Sequence, residues 1–246
     1  MPPTPPYASA SASSHDSEER DTFNMNIVGD NLPLTYIPAD KVTLGKKLGQ
    51  GGFGVVYEGD YKYQKVAVKR FEGTRPAEKV LREIRHEVSV MQRLDHQCLV
   101  RLLGLVQQED SPAMLVMEYG ANGSLYNYLH SDQAISWGIR LRVAIELARG
   151  LAYLHDEKII HRDIKSLNVV LDQDWHAMWC DFGLAALKLH STTTSKQEGG
   201  SVAGTVRWMA PELFSRKTAA PAKAADIWAL GMVYFELASR AVPYKH

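Results

Sequence analysis

The chain has 246 residues, 45% of them apolar and 23% charged, and its 28 basic and 28 acidic side chains cancel to a formal net charge of zero. That is an ordinary soluble composition, and without a surplus of Lys and Arg on one face it excludes nonspecific binding to nucleic acid or to anionic membranes. Cys98 and Cys180 lie far apart inside apolar strings, which fits neither a disulfide framework nor a zinc site and points to a reducing compartment.

The first segment, residues 1–35, is rich in Pro, Ala and Ser with little apolar surface to offset the entropy of ordering, so a disordered tail is expected. Its first cation is Arg20, too late for a secretory signal, and the longest apolar stretch, Val143 to Leu154, is interrupted by Glu146 and Arg149. A cytoplasmic protein without membrane insertion is expected. From Lys41 onward, short segments rich in β-branched and aromatic residues (KVTLGKKL, VVYEGDY, KVAVKRF) read as antiparallel strands. Pro76 to Leu94 changes to helical spacing, with Val80, Leu81, Ile84, Val88 and Met91 recurring at intervals of three and four. Two more strands follow, LVRLLGLVQ and AMLVMEY, separated by the turn-like EDSP. Past the linker near Asn122 the pattern is mainly helical, with a long periodic run from Trp137 to His155 and another from Ala225 to Ser239. A strand-rich lobe followed by a helical lobe places a cleft between them, where small-molecule sites tend to lie.

Three motifs carry chemistry. The run Gly49-Gln50-Gly51-Gly52-Phe53-Gly54 lacks side chains where a backbone would approach an anion. It precedes a strand-like segment and lacks Gly-Lys-Ser/Thr, which argues against both the dinucleotide fingerprint and the phosphate loop. A glycine-rich hairpin over phosphates and a plain flexible turn both remain open. Second, Lys69 stands in the apolar strand Val66-Ala67-Val68, where an unpaired charge costs several kcal/mol. On a helical wheel Glu87 lies about 60° from Ile84, at the edge of the apolar stripe, and Glu83 lies farther round at about 100°. Glu87 is therefore the expected partner of Lys69. Third, His161-Arg162-Asp163-Ile164-Lys165-Ser166-Leu167-Asn168 is followed, after the short strand VVLD, by Asp181-Phe182-Gly183. Two acids and an amide on short connectors can accept a hydroxyl proton and ligate a hard divalent cation. The stretch from Asp181 to Glu212 is long and hydroxyl-rich; Ser191, Thr192, Thr193, Thr194, Ser195 and Ser201 are candidate phosphoacceptors, with Arg162 the cation placed to receive a phosphate.

Taken in order, the glycine run, strand lysine, loop aspartate, Asp-Phe-Gly and Ala210-Pro211-Glu212 resemble the signature set of the eukaryotic protein-kinase family, from about Val42 to the chain's end. Lys165, two positions after Asp163, and Gly204-Thr205-Val206-Arg207-Trp208-Met209 resemble its tyrosine-kinase-like Ser/Thr branch. The resemblance implies an α+β, two-lobed protein-kinase-like fold over 36–246, with a small antiparallel β lobe carrying one helix (36–120) and a mainly helical large lobe (121–246). It implies ATP and Mg2+ as cofactors and a protein substrate with a Ser or Thr acceptor. Leu48, Gly49, Gly51, Gly52, Phe53, Gly54, Val56, Ala67, Met117, Glu118, Gly120 and Val170 would form the nucleotide site. Lys69, held by Glu87, would contact the α and β phosphates. Asp163 would accept the hydroxyl proton, Lys165 would steady the transferring group, and Asn168 and Asp181 would hold magnesium. Met91, Leu102, His161 and Phe182 would stack as an apolar spine resting on Asp226, and Cys180 would line the pocket. The large lobe resembles a truncated one: its last helices are missing after Val242-Pro243-Tyr244-Lys245-His246. That implies an unpaired Glu212 and exposed apolar surface near Trp228, Val233 and Phe235, an aggregation hazard or a face for a second copy or a docking partner. A catalytically silent ATP-binding interaction module is the alternative to a Ser/Thr kinase.

Overall fold

The computed structural model describes residues 34–51, 54–71, 77–107, 113–183, 185–187, 206–214 and 223–245. Gly52, Phe53 and the candidate phosphoacceptors between 191 and 201 lie outside the described residues.

Five strands form one antiparallel sheet: β1 (Val42–Gly51), β2 (Gly54–Tyr61), β3 (Gln64–Arg70), β4 (Leu102–Val106) and β5 (Met114–Glu118), in the order β1-β2-β3-β5-β4. Alternation of β-branched and other residues gives the sheet two different faces. Val66, Val68 and Val116 pack on one side with Ile37, Val42 and Val106, while Ala67, Leu115 and Met117 turn to the opposite side and join the main core. Helix α1 (Ala77–Met91) covers that second side and buries Ile84, Val88 and Met91. Its observed span lies one residue inside the expected start and three inside the expected end, since Leu94 is buried beyond the last turn.

The remainder is mainly helical. Ser124 caps α2 (Leu125–Leu129) by accepting from the Asn127 amide, and Ser136 caps α3 (Trp137–Asp156) by accepting from Ile139, each satisfying an otherwise orphaned donor. Helix α4 (Lys223–Ser239) runs antiparallel to α3: Arg140 donates to the carbonyls of Leu237 and Ala238, Tyr234 donates to that of Ala144, and His155 meets Asp226. Arg140 thereby caps α4 at its C-terminal end. Four further strands are very short: β6 (Ile159–Ile160) pairs with β9 (Ala186–Leu187), and β7 (Val169–Leu171) with β8 (Ala177–Trp179). Only β7 is foreseen from sequence, from the β-branched run that begins it; β6, β8 and β9 carry too little periodicity to read. Among the described residues no helix is long and apolar enough to cross a membrane.

The expectation of exposure near the C-terminal helix holds for Trp228 and Phe235 and extends to Ile227, but Val233 is fully buried in the core. Val233 falls on the side of α4 turned toward α3, whereas Ile227 and Phe235 share the outer stripe.

Candidate active site

The sheet register places the candidate residues on one face. Val56 on β2 pairs with Lys69 on β3, which pairs with Leu115 on β5, and Ala67 pairs with Met117. Side chains of directly paired residues project from the same face, so Val56, Ala67, Lys69, Leu115 and Met117 look toward the helical lobe together. The glycine run lies at the edge of the same sheet. Gly49, Gln50 and Gly51 pair with Val56, Val55 and Gly54, so the described part of the run is the paired end of a strand hairpin. Gly54 at φ 141° leaves no room for a Cβ, which would meet the Arg70 carbonyl. Leu48, next to the run, is exposed.

Lys69 Nζ donates to Glu87 Oε1 at 2.7 Å and Oε2 at 2.8 Å, and the side chains are only 7% and 2% exposed. Asp181 Oδ1 accepts from the same ammonium at 3.2 Å. Burial alone pushes the Lys69 pKa down, but Glu87 and Asp181 outweigh it and hold the ammonium above its ordinary value. The Asp181 carboxyl is held below its ordinary range, because Lys69 outweighs the effect of burial. The helical-wheel choice of Glu87 over Glu83 thus matches the observed pairing.

The loop after β6 turns sharply, with Arg162 at φ 68°, a conformation in which non-glycine residues are uncommon. It is held from below by α4: the buried Asp226 accepts from the amides of His161 and Arg162, both at 2.9 Å, and from His155 Nε2 at 3.0 Å. Asp163 and Asn168 are both buried. Lys165 Nζ donates to Asp163 Oδ2 at 2.7 Å, and Asn168 Nδ2 donates to the same oxygen and to the Asp163 carbonyl, each at 2.8 Å. Asp163 Oδ1 is buried and has no hydrogen-bond partner among the described residues. Asp181 also has a positive φ, 61°, which turns its carboxylate back toward Lys69.

The residues around 117–120 lie against the helical lobe beside these groups. Gly120 sits so close to Val170 that a Cβ there would stand 2.5 Å from the valine's, which brings the end of β5 onto β7. Glu118 and Val170 are half-buried and Met117 is 9% exposed. Of the expected spine, His161 and Phe182 meet with ring centroids 5.4 Å apart and both are fully buried, with Met91 buried and Leu102 packed against the same core. The Cys180 thiol is pushed up to about 12 by burial and by the neighbouring Asp181 charge, so it behaves as an inert apolar group. Glu212 is exposed and has no ion pair among the described residues.

Sequence reasoning missed a second set of polar groups. Glu236 on α4 is fully buried, accepting from Ser166 Oγ at 2.8 Å and from Trp208 Nε1 at 2.7 Å. Burial pushes its carboxyl up to about 7, against those two hydrogen bonds. Its position, three residues from Val233 and beside Leu237, is the same kind of signal that singled out Glu87.

The model of the family described as protein tyrosine and serine/threonine kinase matches residues 42–246. The chain is 32% identical over 227 residues to a probable serine/threonine-protein kinase, drkD, of Dictyostelium discoideum, covering 91% of this chain and 17% of that protein. It is 36% identical over 218 residues to the probable serine/threonine-protein kinase SIS8 of Arabidopsis thaliana (87% and 20%). To the serine/threonine-protein kinase STY46 of the same plant it is 30% identical over 221 residues (89% and 37%). The chain therefore spans well under half the length of these relatives.

Proposed function

This chain belongs to the protein tyrosine and serine/threonine kinase family over residues 42–246, and on that premise we propose that it transfers the γ-phosphoryl group of ATP to Ser and Thr hydroxyls of protein substrates. The observation that carries the reading is Asp163, with one carboxylate oxygen held twice and the other, Oδ1, buried without a donor. Burying such an oxygen unpaired costs about 1–3 kcal/mol, and an incoming hydroxyl supplies the missing donor.

In this reading Asp163 Oδ1 accepts the substrate hydroxyl hydrogen, aims the oxygen lone pair at the γ phosphorus, and takes the proton as the new P–O bond forms and the bond to ADP breaks. Lys165 and Asn168 fix the carboxylate through Oδ2, so that Oδ1 faces the substrate. Lys69, held by Glu87 and Asp181, is in this reading the cation that would contact the α and β phosphates. Positioning and charge neutralisation of this kind supply most of the rate in phosphoryl transfer.

The donors present fit magnesium. Asp181 offers a carboxylate whose side chain is 40% exposed, and the Asn168 carbonyl oxygen is not used by either bond that its amide nitrogen makes. Among the described residues no group of three or more His, Cys, Asp or Glu gathers, so such an ion would complete its shell from phosphate oxygens and water, as magnesium prefers. When bound, it neutralises charge on the phosphates. Among the described residues no atom stands within 4 Å of where a Cβ would lie at Gly49 or Gly51, which leaves the strand backbone open toward those phosphates.

The acceptor class rests on the relatives, whose names describe serine/threonine-protein kinases, and on the position of Lys165. The test is incubation of the purified chain with radiolabelled ATP, magnesium and a mixed protein substrate, followed by phosphoamino-acid analysis. Label on Ser and Thr is expected. Label confined to Tyr, or a nucleotide-dependent thermal shift with no transfer at all, contradicts the assignment, and the second result is the signature of a silent ATP-binding module.

A further inference from the structure

Glu87 is brought to Lys69 by a helix that, among the described residues, shares no backbone hydrogen bonds with the sheet. Helix α1 is seated by its apolar stripe of Ile84, Val88 and Met91 and by side-chain links. An apolar stripe is non-directional, and a single ion pair leaves a helix free to roll about its own axis. A second link, pointing elsewhere, removes that freedom. His86 supplies one: its Nε2 lies 2.5 Å from the carbonyl oxygen of Ala185, two residues beyond Asp181-Phe182-Gly183. A carbonyl only accepts, so Nε2 carries the proton and donates. Consecutive helix residues diverge by about 100°. Glu87 points inward to β3, and the exposed ring of His86 reaches sideways to the chain leading into β9.

We infer that His86 is a positioning residue that locks α1 to the segment following Asp-Phe-Gly, so that Glu87 and Asp181 converge on Lys69 together. The two carboxylates that meet at the Lys69 ammonium come from separate elements, α1 and the loop after β8. The His86–Ala185 bond is a direct tie between those two elements. Ala185 is itself 1% exposed, and the two strand residues after it pair with β6, which leads directly into the Asp163 loop. A shift of α1 is therefore transmitted to both sides of the cleft, and a segment that leaves its place releases the helix.

The inference rests on the kinase reading for its consequence in turnover but not for its geometry. Val56, Ala67, Met117, Gly120 and Val170, residues of the expected nucleotide site, lie on other elements, so loss of the tie leaves nucleotide affinity largely intact and lowers kcat. For His86→Ala the expected result is a fall in kcat of about tenfold, the worth of one hydrogen bond at the upper end, with KM for ATP changed less than about threefold. His86→Gln, which keeps an amide donor at similar reach, recovers most of the lost rate. Equal rates for the two variants, or a rise in KM that accounts for the whole loss, overturns the inference. Hydrogen exchange at Ala186, Leu187 and the amides of 84–88 reads the same tie without turnover. Exchange faster in His86→Ala and restored in His86→Gln supports it even if the wild-type chain transfers no phosphate, in which case only the kinase reading fails. Exchange unchanged in both variants refutes it.

Discussion

Lys69 Nζ and Asp181 Oδ1 stand 3.2 Å apart although 112 positions separate them in the chain. Strand β3 supplies the cation and the loop after β8 supplies the anion, so the contact closes the cleft between the sheet and the helical lobe. Glu87 holds the same ammonium from α1. Three elements that share no backbone pairing with one another thus converge on one buried charge.

That convergence makes the pair costly to break from one side. Lys69→Met leaves Glu87 buried without its cation, and removing one partner of a buried ion pair destabilises by roughly 3–5 kcal/mol, a fall in melting temperature on the order of 10 °C for a chain of this size. The double variant Lys69→Met/Glu87→Leu replaces the pair by apolar groups and recovers a large part of the loss, while phosphoryl transfer stays abolished. Thermal unfolding of the three proteins checks this. A double variant no more stable than Lys69→Met shows that the pair is not the source of the effect.

Glu236 gives the protein a stability term that depends on pH. Its carboxyl titrates at about 7 in the folded protein because burial disfavours the charged form, against about 4.3 in an unfolded chain. The folded state binds the proton more tightly, so the contribution is fully present below the unfolded value and is lost as pH rises from there through about 7. Glu236→Gln has no proton to lose. Between pH 5 and pH 8 the difference in melting temperature should therefore move in favour of Glu236→Gln by a few °C or more. A difference that is flat across this range contradicts the assignment of a raised carboxyl.

Two helix glycines should respond in opposite senses to Ala. Gly150 on α3 faces the Trp179 ring, with a Cβ placed 2.9 Å from Trp179 Cδ1 and 3.0 Å from the Cys98 carbonyl, so Gly150→Ala overpacks the core at a cost of about 1–3 kcal/mol. At Gly231 on α4 no atom of the described residues stands within 4 Å of where its Cβ would lie, and Gly231→Ala stabilises by about 0.5–1 kcal/mol through helix propensity. Chemical denaturation of both variants reads the signs directly, and a stabilising Gly150→Ala would show that α3 does not lie against β8 as described.

Much of this arrangement is legible in the amino-acid order, and the reasons are specific. Lys69 announces itself as a charge in an apolar strand, and Glu87 as an acid at the edge of an apolar helical stripe, so their pairing follows from burial cost. The strands of the sheet are readable because they alternate over five residues or more. What escapes is of another kind. Strands β6, β8 and β9 are too short to show a period, and the His86–Ala185 tie uses a main-chain acceptor, which has no sequence signature. Glu236 carries the same signal as Glu87, but its partners, Ser166 and Trp208, are neutral donors and not an obvious counter-charge. Val233 is misread as exposed because α4 is apolar on more than one side, and its sequence does not say which side α3 covers.

Asp163, through the buried Oδ1 that no described residue bonds, is the group proposed to receive the acceptor's proton. Asp163→Asn keeps the size and the contacts to Lys165 and Asn168 near their original form but removes the base. The most direct measurement is the rate of phosphate transfer from radiolabelled ATP to a Ser/Thr protein substrate by wild type and Asp163→Asn, beside the thermal shift each shows with magnesium and ATP. The expected result is a fall in kcat of about 10²–10⁴-fold with the nucleotide-dependent shift retained. Transfer by Asp163→Asn at the wild-type rate would contradict it.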